Sequence, residues 1–181
     1  HHHLYQENHL NLRRYHQYLH QLGFTQNNPS LLLTPPRLSR KLPITLQVEE
    51  INRIIESVDM TKKYSLRDQA LISLLYASGL RVSELTELKL QHLSRDDGLI
   101  RVLGKGDKER IVPIGNKALK YIMVYLLDLR SEISRKGKSN GILFLNSHGQ
   151  KLSRMSIWNI VHENTVRAGI HKRVSPHVFR H

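Results

Sequence analysis

Two short segments rich in β-branched residues constrain the fold of this chain more than any other feature. Residues 99–103 read LIRVL and residues 110–114 read RIVPI, and they flank the polar, glycine-containing segment 104–109. Such a pair is typical of a β-hairpin. Residues 142–145, ILFL, fit either a short buried strand or an apolar turn of helix. Most other apolar residues recur at helical spacing, so the sequence predicts a mainly α protein with one small β-hairpin or sheet, in the α+β class.

Five segments have apolar residues three or four positions apart, the spacing of a helix with one buried face. The first carries Ile51, Ile54, Ile55 and Val58, with Thr45 as a candidate N-cap. The other four are a helix that ends at Gly79, a short helix capped by Ser83, a long helix over 117–134 and a helix from Ser153 to Gly169.

The composition of the chain changes along its length. Residues 1–3 are three histidines, which are interpreted as a purification-tag remnant. Residues 4–27 contain one helical pattern, interpreted as the last helix of an incomplete N-terminal domain. Residues 28–44 contain four prolines and several basic residues, which predicts a linker, although an ordinary surface loop would look the same. A compact domain is expected over 45–181.

The chain is strongly basic. It has 28 Lys and Arg against 15 Asp and Glu, a formal net charge of +13, and a pI near 10.2. An excess of this size favours a polyanion such as nucleic acid as a partner. The alternative is a soluble protein that is basic without binding a polyanion. The chain has no cysteine, which excludes disulfides and cysteine-based zinc sites. No segment approaches the roughly 18 continuous apolar residues of a membrane span.

The segment HVFRH at the end of the chain has a pattern suited to phosphate. Ser175 and Pro176 form an N-cap and first-turn pair, so a helix is expected to start there. His177, Arg180 and His181 then lie on one face of that helix. An arginine fork beside a histidine can hold phosphate oxygens and move a proton. The alternatives are a solvated basic turn, or a zinc site on the two histidines, which lacks a supporting glutamate or cysteine.

Two other basic residues are candidates for the same chemistry. Arg81 follows the predicted helix stop at Gly79, and a phosphate near the next helix start would be within its reach. The alternative is that Arg81 pairs with Glu84 or caps carbonyl groups. Lys105 lies at the predicted hairpin tip between two glycines, which permit close backbone approach to a ligand, although most such turns are only turns.

Three motifs taken together resemble the tyrosine site-specific recombinase family, most closely its bacterial Xer branch. They are ASGLRVSEL at 77–85, GKGDKERIVPIG at 104–115 and HVFRH at 177–181, and both their order and their spacing match. The resemblance identifies 45–181 as a tyrosine recombinase catalytic domain. It also identifies 4–27 as the end of the family's N-terminal DNA-clamping domain, with 28–44 as the interdomain linker.

The resemblance implies phosphoryl transfer without metal or other cofactor. A tyrosine hydroxyl would attack a DNA phosphate and form a 3′-phosphotyrosine, which a partner strand's 5′-hydroxyl would then resolve. By the family's pattern, Arg81 and Arg180 would hold the nonbridging oxygens, Lys105 would protonate the leaving 5′-oxygen, and His177 would assist proton transfer or donate to the phosphate.

The remaining site residues are expected to support this chemistry. Glu84 and His181 match motif positions beside the phosphate-binding residues, and they are interpreted as structural supports for them. Basic residues expected to contact DNA are Arg37, Arg40, Lys41, Lys108, Arg110, Arg154 and Arg173.

The family's nucleophilic tyrosine follows the motif that HVFRH resembles. None of the seven tyrosines here follows HVFRH, and the helix expected at Ser175 has no C-terminal signal. The nucleophile is therefore expected to be absent from this chain, which as given would not cleave DNA. The alternatives are a non-catalytic DNA-binding protein or decayed integrase, and a metallonuclease that uses His177 and His181.

The family also implies partners and a location. They are a double-stranded DNA recombination site, a homo- or hetero-tetramer of recombinase protomers on that DNA, and a cytoplasmic, nucleoid-associated location without membrane contact.

Overall fold

The structure is a computed structural model that describes residues 2–32, 45–104, 109–172, 174 and 176, with only the backbone described over 2–10. The chain divides into two compact units, His1–Pro43 and Ile44–His181. Among the described helices, none is both long enough and apolar enough to cross a membrane.

The first unit contains helix α1, His2–Gln21, and a short 3-10 helix, Pro29–Leu32. Helix α1 ends before Gly23, whose φ of +74° is readily adopted by glycine. The Nε of Arg13 donates to the carbonyl oxygen of Ser30 at 3.3 Å, which ties the helix to the 3-10 turn.

The second unit begins with three helices, α2 at Val48–Glu56, α3 at Ser65–Ser78 and α4 at Val82–Glu87. Helix α3 ends as predicted at Gly79, which has a left-handed φ of +56°. The prediction that Thr45 caps α2 was wrong.

The N-cap of α2 is Gln47, whose backbone N–H donates to the Glu50 carboxylate at 2.8 Å. The carboxylate thereby accepts from the backbone N–H of the N-cap residue, a donor that the hydroxyl of a threonine cap would leave unpaired. The prediction that Ser83 caps α4 was also wrong. The N-cap of α4 is Arg81, whose backbone N–H donates to the Glu84 carboxylate, and Ser83 lies inside the first turn.

The predicted hairpin forms part of an antiparallel sheet of three described strands. Strand β1 is Leu93–Ser94, β2 is Leu99–Leu103 and β3 is Glu109–Pro113, in the order β1-β2-β3. Val102 on β2 lies directly opposite Arg110 on β3. The residues between β2 and β3, 105–108, lie outside the described part of the chain.

The long helix predicted over 117–134 is present, with one irregular turn. It consists of α5, Asn116–Tyr125, a π-helical turn, Leu126–Arg130, and α6, Ser131–Ser134. A π turn adds a residue to a helical turn and so changes the direction of the side chains that follow it.

Residues 142–145 form neither a helical turn nor a strand of the sheet. All four side chains are buried, and only single bridges, Lys89 with Ile142 and Leu145 with Lys151, pair the ends of the segment. Its backbone is held by side chains of the long helix. The hydroxyl of Tyr125 donates to the carbonyl oxygen of Leu143 at 3.2 Å and accepts from the N–H of Leu145 at 3.2 Å.

Helix α7, Arg154–Arg167, follows its predicted bounds. The Ser153 hydroxyl accepts from the backbone N–H of Ser156 at 3.0 Å, the N-cap bond expected of serine. The core of the second unit is aliphatic and includes Ile54, Leu71, Leu74, Leu75, Leu85, Ile100, Ile114, Ile122, Phe144 and Ile157.

Candidate functional site

Arg81 lies between α3 and α4, where the chain turns at Gly79. Its side chain is 49% exposed, and its Nη1 donates to Oε1 of Glu84 at 3.1 Å. The contact with Glu84 is the one that the sequence offered as the alternative to phosphate binding. Since half of the side chain remains exposed, the guanidinium is held at one end and still accessible to a ligand.

The Glu84 carboxylate receives four hydrogen bonds although its side chain is only 6% exposed. Arg110 donates from Nη1 to Oε1 and from Nη2 to Oε2, both at 2.8 Å. Arg81 adds its Nη1 and its backbone N–H, the latter at 2.7 Å to Oε2. The hydrogen bonds from Arg110, followed by those from Arg81, lower the pKa of Glu84 from 4.5 to about 2, against the opposing effect of burial.

Beside this cluster lies an open cleft of about 620 Å³. Helix α4 forms one wall and strand β2 with the turn before β1 forms the other. The cleft combines the exposed guanidiniums of Arg81 and Arg101 with apolar side chains. Such a surface suits a large organic anion better than a small inorganic one. Its lining residues are Arg81, Ser83, Glu84, Glu87, Leu88, His92, Arg101, Val102, Leu103 and Gly104.

His92 and Arg101 line the cleft but were not predicted from the sequence. Burial, followed by the charges of Lys89 and Arg101, lowers the pKa of His92, which favours the neutral imidazole. The Nδ1 of His92 accepts from the backbone N–H of Lys89 at 3.3 Å. Only the alternation in LIRVL could have placed Arg101 on the exposed face of β2, and no sequence signal marked His92.

Arg154, predicted as a DNA contact, is the first residue of α7 and its side chain is exposed. It borders a second cavity of about 400 Å³ together with Val82, Met155, Trp158 and Pro176. Val82 directly follows Arg81 in the chain. The structure thus places Arg154 in the neighbourhood of the α4 N-terminus.

Most other predicted site residues lie outside the described part of the chain, so their predicted roles stay predictions. Within the described residues, no group of three or more His, Cys, Asp or Glu side chains is placed to hold a metal ion. The predicted residues that the structure does not describe are Arg37, Arg40, Lys41, Lys105, Lys108, Arg173, His177, Arg180 and His181.

Comparison with known proteins places the chain in a family. Residues 45–181 match the Phage integrase family, so the chain belongs to that family. It is 40% identical over 170 residues to the tyrosine recombinase XerD of Staphylococcus aureus (strain Mu50 / ATCC 700699), a match that covers 94% of this chain and 57% of XerD. The predicted resemblance to Xer-like tyrosine recombinases is confirmed.

Solved structures agree with this family. XerA recombinase aligns with a TM-score of 0.66 and 30% identity over 81% of this chain and 50% of that one. XerH site-specific recombinase, in a post-cleavage complex with a palindromic difH substrate, aligns with a TM-score of 0.67 and 26% identity over 82% and 43%. The predicted fold, a mainly helical α+β recombinase catalytic domain, is confirmed. The chain spans about 57% of the length of the curated relatives it matches.

Proposed function

We propose that the protein is a site-specific DNA recombinase that cleaves and rejoins strands through a 3′-phosphotyrosine, and that this chain contributes its phosphate-binding residues. The observation that carries the proposal is Arg81, which Glu84 holds at the edge of a cleft while half of its side chain stays exposed. Membership of the Phage integrase family and 40% identity to a tyrosine recombinase support the same function.

In the proposed reaction, a tyrosine oxygen forms a bond to phosphorus while the bond to the 5′-oxygen breaks. Lys105 gives a proton to the leaving oxygen, and His177 assists proton transfer. Arg81 and Arg180 stabilise the negative charge that builds up on the nonbridging oxygens. The phosphotyrosine retains the bond energy of the phosphodiester, so a 5′-hydroxyl of a partner strand can reverse the reaction without a cofactor.

The proposed partner is a double-stranded recombination site bound by a homo- or hetero-tetramer of protomers in the bacterial cytoplasm, in association with the nucleoid. The net charge of +13 suits a polyanionic partner, and the XerH structure is that of a recombinase on its DNA substrate. Arg154 is proposed to contact the DNA backbone, as are the basic residues Arg37, Arg40, Lys41, Lys108 and Arg173.

The test uses full-length protein and a DNA site that the protein itself selects from a random-sequence pool. A nicked form of that site traps covalent protein–DNA adducts, which a denaturing gel separates from free protein. We expect R81A to lower the rate of adduct formation by about 10²- to 10³-fold, the loss seen when an enzyme loses one donor that stabilises transition-state charge. Site affinity should stay within a few-fold of that of the unmodified protein.

Arg167→Ala is the matched control. Arg167 also pairs with carboxylates, those of Asp59 at 3.3 Å and Glu163 at 3.7 Å, and its side chain is 39% exposed. If R81A forms adduct at the rate of R167A, the assignment of Arg81 fails. Cleavage that EDTA abolishes would favour a metallonuclease, and specific binding without any adduct would favour a non-catalytic DNA-binding protein.

A further inference from the structure

We infer that Arg110 is a positioning residue. It offsets the negative charge of Glu84, so that the positive charge of Arg81 remains available to the DNA phosphate. The inference rests on the proposed function and extends it to a residue that the family pattern does not place at the phosphate. Its basis is the pairing of Arg110 with Glu84, across 26 residues of chain.

The sheet directs Arg110 towards the site. Arg110 lies opposite Val102 in the antiparallel register, and residues opposite each other point to the same face. Val102 is buried and lines the cleft, whereas the neighbouring Ile111 is 69% exposed on the other face. The Arg110 guanidinium therefore reaches α4 from β3 and meets both carboxylate oxygens of Glu84 at once, a bidentate geometry that fixes the carboxylate plane.

The charges in this cluster explain why a second arginine is needed. Glu84 alone would neutralise Arg81, because the two side chains are 3.1 Å apart. An incoming phosphate would then meet a pair with no net charge. With Arg110 added, two guanidiniums share one carboxylate, and the cluster keeps one positive charge on its exposed side, where Arg81 lines the cleft.

Arg110 was expected from its charge to contact DNA, but the structure commits it elsewhere. Both of its Nη atoms donate to Glu84. Moving them to DNA would leave a carboxylate that is 6% exposed without its main partner, which is costly for a buried charge. The remaining alternative is an ion pair that only ties β3 to α4.

The test is a set of substitutions in full-length protein, assayed for adduct formation under single-turnover conditions and for site affinity. We expect R110M to slow adduct formation by about 10- to 100-fold, the range seen when a partner that orients a ligand-binding group is lost. Site affinity should stay within about threefold, and R110K should lie between R110M and the unmodified protein. The matched control R167M should stay within about twofold of the unmodified protein.

The double variant E84Q/R110M separates charge compensation from a structural tie. Removing the carboxylate restores a net charge of +1 beside the cleft, so we expect this variant to form adduct at least about threefold faster than R110M. A structural tie predicts no recovery, since both ends of the tie are gone. Recovery supports the inference, and its absence overturns it.

Two other outcomes also overturn it. In the first, R110M forms adduct at the same rate as R167M. In the second, R110M loses site affinity as much as rate, and the slope of log binding constant against log salt concentration falls by about one, which would make Arg110 a direct phosphate contact.

A readout that does not depend on catalysis separates this inference from the proposed function. In the 181-residue chain, carbon NMR of the Glu84 carboxyl should show its pKa rise from about 2 towards 4.5 when Arg110 is replaced by Met. Absence of adduct with unmodified protein counts against the recombinase function. An unchanged Glu84 titration in R110M counts against the role of Arg110.

Discussion

Glu84 shows how folding changes the chemistry of a single residue. Its carboxylate is nearly buried, and the hydrogen bonds from Arg110 and Arg81 lower its pKa from 4.5 to about 2. In the unfolded chain Glu84 is protonated as the pH falls through about 4.5, whereas in the folded chain it stays ionised down to about pH 2. The stabilisation is therefore complete above about pH 4.5 and is lost as the pH falls towards 2.

Replacement of Glu84 by Gln should accordingly destabilise the protein in a pH-dependent manner. A shift of this size sets an upper limit of about 3 kcal/mol, and because both guanidiniums are partly solvated we expect about 1–2 kcal/mol at pH 7. The difference between E84Q and the unmodified chain should shrink below pH 4.5, as measured by urea unfolding from pH 7 to 3.5. Glu56→Gln, at an exposed pair with Lys117, is the control. A difference that stays constant down to pH 3.5 would contradict the assignment.

Among the elements, the long helix and the segment 142–145 depend on each other. Arg130, the last residue of the π turn, is buried, and its Nε donates to the carbonyl oxygen of Leu143 at 3.0 Å while its Nη2 donates to that of Ile142 at 2.5 Å. The N–H of Leu143 donates to the carbonyl oxygen of Leu88 at 2.7 Å, and Leu88 lines the cleft. One buried arginine therefore connects the helix, through this segment, to the wall of the site.

Arg130→Met should remove this connection. The carbonyl oxygens of Ile142 and Leu143 would lose a buried donor, and we expect a loss of about 2–4 kcal/mol in the free energy of unfolding. Urea denaturation at pH 7 measures it, with Arg135→Met, at the exposed residue that directly follows α6, as the control. Equal stability of the two variants would show that water or a rearranged backbone replaces the Arg130 contacts.

At the scale of the whole molecule, net charge bears on the proposed binding to DNA. A net charge of +13 over 181 residues gives a polyanion a favourable field before any specific contact forms. Each phosphate that a basic side chain neutralises releases counterions, so the logarithm of the binding constant should fall linearly with the logarithm of salt concentration.

Arg154→Ala tests whether α7 faces the DNA. If the exposed Arg154 neutralises a phosphate, its loss should weaken binding of the 181-residue chain to duplex DNA similarly for all sequences and reduce the salt slope by about one. The measurement is fluorescence anisotropy at several salt concentrations, with Arg167→Ala as the control. A slope equal to that of the control would place Arg154 away from the DNA.

The local features of the fold were predictable because neighbours in the sequence decide them. The hairpin strands, the stop at Gly79 and the Ser153 cap depend on side-chain type and spacing within a few residues. Candidate caps were less certain, because several polar residues compete near each helix start. Gln47 and Arg81 prevailed since a glutamate three residues later reaches back to the backbone N–H of each.

The family and the mainly helical architecture could be read from the sequence, since three ordered motifs and a helical period are present in the chain itself. The same motifs mark Arg81 as a candidate phosphate ligand, a role that stays a prediction. How Arg81 is held could not be read from the sequence, because its partners are brought together by long-range packing. The pairing of Glu84 with Arg110 joins residues 26 positions apart, and it depends on the sheet register and on the position of α4 across the cleft from β2. The tertiary structure also decided the conformation of 142–145, because partners distant in the chain satisfy the backbone of that segment. Contacts of this kind follow from packing in three dimensions, which no local pattern encodes.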